Sequence, residues 1–350
     1  MIKSLSTYNL IVPFVSPLTG ATCSEYTLSI YIWDGVKTSP PASADYEITK
    51  TNFTTSTGND RLNIARLVND FIQFNPDISA TIDTLDSDNQ VWCKTEIVYV
   101  TTNPTDDDVV QEELTQLVLK GYSSGIEGEN PQPPADGILL DGNLFRVSRS
   151  SVFTLPLLLD SAISGTVESF PNTEIDYPFS LSTPTESGEM VKVINIPAPA
   201  TDEYINITIG ARVITLIVKE EYKYSPVDVY FINKEGAQQT LTFFKERRDS
   251  LNVTKETYES IAGQPADGYH QYVDFNVAGK SSFTLTSGYV PEAQNSAFKQ
   301  LMMSSSVYIT SDLIPVNVVK QSLEYKTRLN ERLISYEIDF SYSYSEVNTI

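Results

Sequence analysis

Short runs in which apolar and polar residues alternate recur along this chain, and they predict strands. Val227, Val229 and Phe231 alternate with Asp228, Tyr230 and Ile232, the period of two that sends successive side chains to opposite faces. Asn233-Lys234-Glu235-Gly236 follows with turn chemistry, its glycine free to take a left-handed backbone. A second strand returns through Gln239, Leu241 and Phe243 on one face and Thr240, Thr242 and Phe244 on the other. The chain is organised around this hairpin, which needs cover on both faces, from its own domain and from a neighbour. Beyond it, 245–249 reads as a charged arm leading into a polar segment that ends at Tyr258. The clearest alternation comes last. Ile334, Tyr336, Ile338, Phe340, Tyr342 and Tyr344 share one face opposite Ser335, Glu337, Asp339, Ser341 and Ser343, after a turn at 328–331. It predicts a half-buried strand whose aromatic face meets a core or a partner subunit.

The remaining elements follow the same logic. Strands are predicted over 8–15, 25–34, 46–53 and 91–100. Between them Ile64, Leu67, Val68, Phe71 and Ile72 keep helical spacing, capped by Asn59 or Asp60 and stopped before Asn75-Pro76. The run 109–120 fits either a helix face of Val110, Leu114, Leu117 and Val118 or a strand, and the strand is preferred. Residues 121–142, dense in Gly, Pro and Asp, read as a long loop of the kind that serves as an interaction arm. Six β runs fill 144–219 at sandwich-like spacing, with Pro156 marking an edge strand or a bulge. Further strands are predicted at 272–277, 282–286, 307–310 and 315–319. Pro291 opens a helix through Met303 whose apolar face is Ala297, Phe298, Leu301 and Met302. The architecture expected is mainly β: tandem β-sandwich-like domains with a few short inserted helices. The division expected is 1–102, 103–220 with the loop 121–142, and 221–350 with the helix near 291–303.

Composition supports a folded β protein: 41% of the 350 residues are hydrophobic and 20 are Tyr. A net charge of −21 argues against a nucleic-acid partner and against an anionic membrane surface. The acidity serves solubility, or else meets a basic partner or divalent cations. Cys23, Cys93 and the single histidine, His270, are too few for a metal framework. Two reduced thiols are expected, with one bridge left open. MIKSLSTYNLIVPFV lacks the features of a signal peptide and no run is long enough to span a bilayer, so synthesis and folding in a cytoplasm are expected. The sequons at Asn52, Asn206 and Asn252 then read as strand and turn residues.

Candidate chemistry is thin. Gly121-Tyr122-Ser123-Ser124-Gly125 fits G-x-S-x-G, but a nucleophile elbow needs a helix straight after it, and IEGENPQPPADG cannot form one. Asp106-Asp107-Asp108 lacks the alternating spacing and glycine of a calcium loop and reads as a solvated cap or linker. His270 reads as an interface or core residue, no carboxylate pair stands out, and no glycine loop suits phosphate. No catalytic, cofactor-binding or metal-ligating residue is assigned, and the protein is expected not to be an enzyme.

PVDVYFINKEGAQQTLTFFKERRDSLNVTKETY, LTSGYVPEAQNSAFKQLMMSSSVYI, PVNVVKQSLEYKT and LNERLISYEIDFSYSYSEVN, with GYSSGIEGENPQ leading to VFTLPLLLD, carry a resemblance over roughly 91–350. The chain resembles tail-associated virion proteins of crAss-like and related tailed bacteriophages. The resemblance implies a structural component of the tail, baseplate or tail-fibre adaptor region, located in the virion, partnering other tail proteins and copies of itself in a ring. It transfers no catalytic residue. The alternative is a receptor- or carbohydrate-binding β-sandwich module for host surface glycan, which exposure of Trp33 or Trp92 beside acidic residues would support, because sugars stack on aromatic faces. A glycan-degrading enzyme is a third reading.

Overall fold

The computed structural model describes residues 2–4, 11–14, 23–34, 39–51, 60–76, 78–86, 90–101, 109–122, 134–149, 151–184, 190–260, 270–309, 312–319 and 333–348. Among the described residues the chain is mainly β, with 59% strand, 7% helix and only two short α-helices, in sandwich-like units.

The first unit comprises β1 (Ile2–Ser4), β2 (Ile11–Phe14), β3 (Cys23–Trp33), β4 (Tyr46–Thr51), β5 (Asp60–Asn63), α1 (Ala65–Asn69), β6 (Asp83–Asp86), β7 (Gln90–Thr101) and β8 (Val109–Leu119). Its main sheet has the order β1-β8-β7-β3-β4. Leu28 and Ile30 of β3 and Val91, Cys93 and Ile97 of β7 pack on Ile64, Ala65, Val68 and Ile72 of the helical segment. Of the predicted apolar stripe, Ile64, Val68 and Ile72 are buried and Leu67 partly so, while Phe71 is 40% exposed; α1 covers only part of the stripe. Asp60 does not cap the helix, because its backbone is committed to the β2 ladder opposite Phe14. Ile64 occupies the N-cap position with no side-chain cap, and Asn63 Oδ1 accepts the Ala65 N–H at 2.9 Å in a local turn; Asn59 lies outside the described residues. Sheet membership also differs from the division at 102/103. β8 belongs to the first sheet, and β6 leaves that unit to pair with Val191–Pro197.

The central unit holds β9 (Leu144–Ser148), β10 (Val152–Leu158), β11 (Ile163–Phe170), β12 (Asp176–Leu181), β13 (Val191–Pro197), β14 (Tyr204–Ile209) and β15 (Arg212–Lys219). Two sheets, β10-β13-β6 and β12-β11-β14-β15-β9, close on one core. Phe153, Leu155 and Leu157 from the first meet Val167, Ile207 and Leu216 from the second. β10 is an edge strand, as Pro156 predicts. Its prolyl carbonyl still accepts the Leu139 N–H at 3.1 Å, so the missing donor leaves no gap in the ladder. Residues 134–142 are loop as expected, with one isolated bridge from Ile138 to Leu157, but this part of 121–142 is packed rather than free as an interaction arm. Ile138, Leu139 and Leu140 are buried along β10, and 123–133 lie outside the described residues.

The third unit contains β16 (Val227–Ile232), β17 (Gln238–Phe243), β18 (Arg247–Glu259), β19 (Tyr272–Pro291), α2 (Asn295–Met303), β20 (Val307–Ile309), β21 (Ile314–Val318), β22 (Leu333–Tyr342) and β23 (Glu346–Asn348). The sheet runs β17-β16-β20-β21-β22-β19-β18, with β23 on β19. Its core is aromatic. Phe243 meets Phe298 and Phe340 edge-on at 5.8 and 6.1 Å between centroids, and Phe283 stacks on Phe340 at 5.4 Å. Ala297, Phe298 and Leu301 of α2 cover it. Pro291 ends β19 rather than opening α2, since a short 3-10 turn at Glu292–Gln294 intervenes. The charged arm predicted after the hairpin is a strand, β18, and the two strands predicted at 272–277 and 282–286 are one strand of 20 residues. The turn predicted at 328–331 lies outside the described residues.

Candidate functional site

The hairpin β16–β17 has the predicted register, with Val227 opposite Phe243 and Phe231 opposite Gln239. Val227, Val229, Phe231, Leu241 and Phe243 enter the third core. The other face, carrying Asp228, Thr240 and Thr242, lies on β10 of the central unit. Thr154 and Thr240 hydroxyls meet at 3.0 Å. Ser151 Oγ and Thr242 Oγ1 both donate to Asp228 Oδ1, at 2.7 and 2.6 Å. Burial pushes the Asp228 carboxyl above its usual value, against the pull of those two hydroxyls. The cover the sequence demands thus comes from within the same chain. Strand β22 behaves alike: Ile334, Tyr336, Ile338 and Phe340 are buried in the third core, and only Tyr344, beyond the strand, is 53% exposed. Neither surface is left over for a partner subunit.

Where the three units meet, Trp33, Trp92, Leu117, Leu119, Leu139 and Met190 form a further apolar cluster. The two indoles stack at 6.4 Å and 17°. They are 4% and 0% exposed, so neither offers an open face for a sugar to stack on. Asn233 ties the junction together, donating from Nδ2 to the Leu139 carbonyl at 2.8 Å. Alongside lies a cavity of about 820 Å³ lined by Arg66, Asp70, Lys120, Tyr122, Asn233 and Ser304. Burial pushes the Lys120 amine below its usual value. The lining suits a small polar ligand and holds no paired nucleophile and base.

Other residues singled out in the sequence are scattered. Tyr122 N–H donates to the Lys234 carbonyl at 3.0 Å, tying the end of β8 to the hairpin turn; Ser123 to Gly125 lie outside the described residues. His270 is exposed, next to the far end of β19, so it is no core residue. Asp106 to Asp108 and Asn52 lie outside the described residues, while Asn206 and Asn252 sit within β14 and β18. In the β3–β7 ladder Cys23 stands opposite Thr101 and Cys93 opposite Ile32, about 30 Å apart along the strand. A bridge is geometrically excluded, and Cys93 is a free, buried thiol.

The acidic residues that are tightly held are structural. Glu174 accepts the backbone N–H groups of Ala200, Thr201 and Asp202. Burial opposes ionisation of Asp202, but hydrogen bonds from Ser169 and from the Glu174 and Asn172 amides overcome it and hold the carboxyl below its usual range. The two carboxylates clasp the loops after β11 and before β14, using their oxygens as acceptors for protein donors. Among the described residues no group of three or more His, Cys, Asp or Glu could hold a metal ion, and no helix is long and apolar enough to cross a membrane.

The feature that sequence reasoning missed is the ribbon made by β18 and β19. They pair from Arg247–Leu285 out to Glu259–Tyr272, with a bulge between Thr254 and Glu256. β22 supports only the part up to Ser282, and β23 touches 277–279. Beyond the body the ribbon is bare: every residue of β18 after Arg247 is exposed. Leu251, Val253, Tyr258, Tyr272 and Phe275 are 55, 52, 49, 61 and 39% exposed. Alternation of Leu251 and Val253 with Asn252 and Thr254 was the available signal, hidden by charges at both ends.

No family model and no curated protein matches the sequence. Among solved structures, the crystal structure of CBD12 from CALX1.2 aligns over 59% of this chain and 76% of its own, at 10% identity and a TM-score of 0.18. A likeness that weak carries no argument about fold or function.

Proposed function

We propose that this chain is a non-enzymatic structural component of a tailed-phage virion, in the tail, baseplate or tail-fibre adaptor region, and that it works as an oligomer with other tail proteins as neighbours. The observation that carries the reading is the ribbon β18–β19. An isolated two-stranded ribbon is marginal in water, and exposed apolar residues along it mark a contact surface rather than a catalytic one. The resemblance over 91–350 supplies the virion setting. Burial of Trp33 and Trp92 leaves the glycan-binding alternative without the support that exposed indoles would have given it. Antibody raised against the purified chain, applied with gold label to tailed particles from the source culture, tests the reading. Label at the tail supports it; particles free of the protein overturn it.

A further inference from the structure

β18 is the last strand of its sheet. Among the described residues no strand pairs with its outer edge, which runs along 13 residues, a template for a further strand. The bulge lies on β19, where the four residues from Ala278 to Phe275 stand opposite the three from Thr254 to Glu256, and Asn276 takes φ 50°. The β18 edge itself stays regular.

The order of side chains on this edge has a symmetry. About Asn252, the sequence Arg248-Asp249-Ser250-Leu251-Asn252-Val253-Thr254-Lys255-Glu256 reads the same outward in both directions by polarity and with opposite sign by charge. A second β18 laid antiparallel across a two-fold axis at Asn252 puts Arg248 opposite Glu256 of the other copy, Asp249 opposite Lys255, Ser250 opposite Thr254 and Leu251 opposite Val253. Each pairing occurs twice. Opposite charges and apolar pairs facing across strands are the stabilising combinations. Within the ribbon, Leu251 faces only Ser281 and Val253 only Gly279, which leaves both uncovered. An edge guarded against pairing carries charges that repel a copy of themselves; these attract. Residues 247–259 also hold three cations and three anions in a chain of net charge −21, so here two copies approach without local like-charge repulsion.

We infer that β18 pairs with β18 of a second copy of this chain, in antiparallel register centred on Asn252, joining two ribbons into a four-stranded sheet through an isologous interface. The inference goes beyond the proposal above, which leaves the contact between copies open, and a protein absent from phage particles would still dimerise this way. Such a contact yields dimers, and larger closed assemblies only with a second interface.

Sedimentation velocity of the full chain over a concentration series tests it. The wild type is expected to form dimers or multiples of dimers. R248E and E256R should each weaken association by about tenfold or more, because each converts two attractive cross-strand pairs into repulsive ones. An equimolar mixture of R248E and E256R should associate again, since every altered residue then faces its opposite charge in the partner. D249K and K255D provide the same test at an independent pair, should either first variant fail to fold by circular dichroism. A wild type that stays monomeric at the highest concentration reached overturns the inference. So do variants that associate as the wild type does, and a mixture of folded variants that does not recover.

Discussion

Asp228 and Cys93 are buried titratable groups, and each makes a testable statement. Asp228 has its carboxyl raised by burial, while two hydroxyls donate to it. A carboxyl raised in the folded state stabilises the fold most when protonated, below its unfolded value of about 4, and that contribution is lost as pH rises through the folded value. Asp228→Asn does not titrate and keeps an acceptor oxygen. The wild type should therefore lose stability relative to Asp228→Asn as pH rises through this range, read as the difference between their melting temperatures. Parallel pH profiles would show that Asp228 is not buried as described. Asp228→Ala leaves the Ser151 and Thr242 hydroxyls without this acceptor and should cost about 1–3 kcal/mol in a denaturant melt. Burial pushes the Cys93 thiol up to about 12, so almost no thiolate is present near neutrality. Native Cys93 should resist a soluble alkylating reagent and react once the chain is unfolded, which peptide mapping by mass spectrometry reads directly. Rapid modification of Cys93 in the native protein would contradict this.

The hairpin β16–β17 shows how an element can be legible while its surroundings are not. Alternation and the Asn-Lys-Glu-Gly turn identify it correctly, and Gly236 does take φ 77°. A Cβ placed there would lie 2.7 Å from both Leu119 Cβ and Gly121 N. The turn is thus pressed against the end of β8, a contact between residues more than a hundred positions apart. Gly236→Ala combines a left-handed backbone with that collision and should destabilise by more than about 1 kcal/mol; an unchanged denaturation midpoint would mean the turn is free of β8. β11 is the opposite case. Gly165, Ser164 and Glu168 hide its alternation in the sequence, yet it is a central strand between β12 and β14. Phe179 stands opposite Gly165 and its ring lies where a Cβ would be, at 2.7 Å. A neighbouring strand supplies the bulk that the glycine lacks, and no local pattern records that. α1 fell short of prediction for a related reason: a ladder partner from distant sequence claimed Asp60–Asn63 before the helix could.

For the whole molecule, the consequential surface is internal. The cluster of Trp33, Trp92, Leu117, Leu139, Leu158, Met190 and Ala237 draws on all three units, and β6 crosses from the first to pair with β13. Phe74 accepts a hydrogen bond from Tyr308 OH at 3.0 Å and the rings meet edge-on, so the first and third units also touch. Units sharing a core should unfold together. Tryptophan fluorescence, which reports the junction, and far-ultraviolet circular dichroism, which reports the sheets, should give coincident urea transitions. Trp92→Ala should lower stability by about 3–5 kcal/mol on both probes. Two separated transitions would mean that the junction does not couple the units. The only long stretch of strand left outside this shared packing, among the described residues, is the distal half of β18–β19.

The sequence by itself determined the fold class, most strands, the hairpin with its turn, and an edge or bulge at Pro156. Those features depend on local quantities: period, turn residues, the missing proline N–H and residue counts. Which surfaces are free was decided only by the tertiary structure, because exposure depends on what the rest of the chain brings alongside. The aromatic faces of β16–β17 and β22, for which a neighbour or partner subunit is one expected cover, are covered from within the chain, and both tryptophans are buried. The stretch 245–258, read as a charged and polar arm, is the strand left bare.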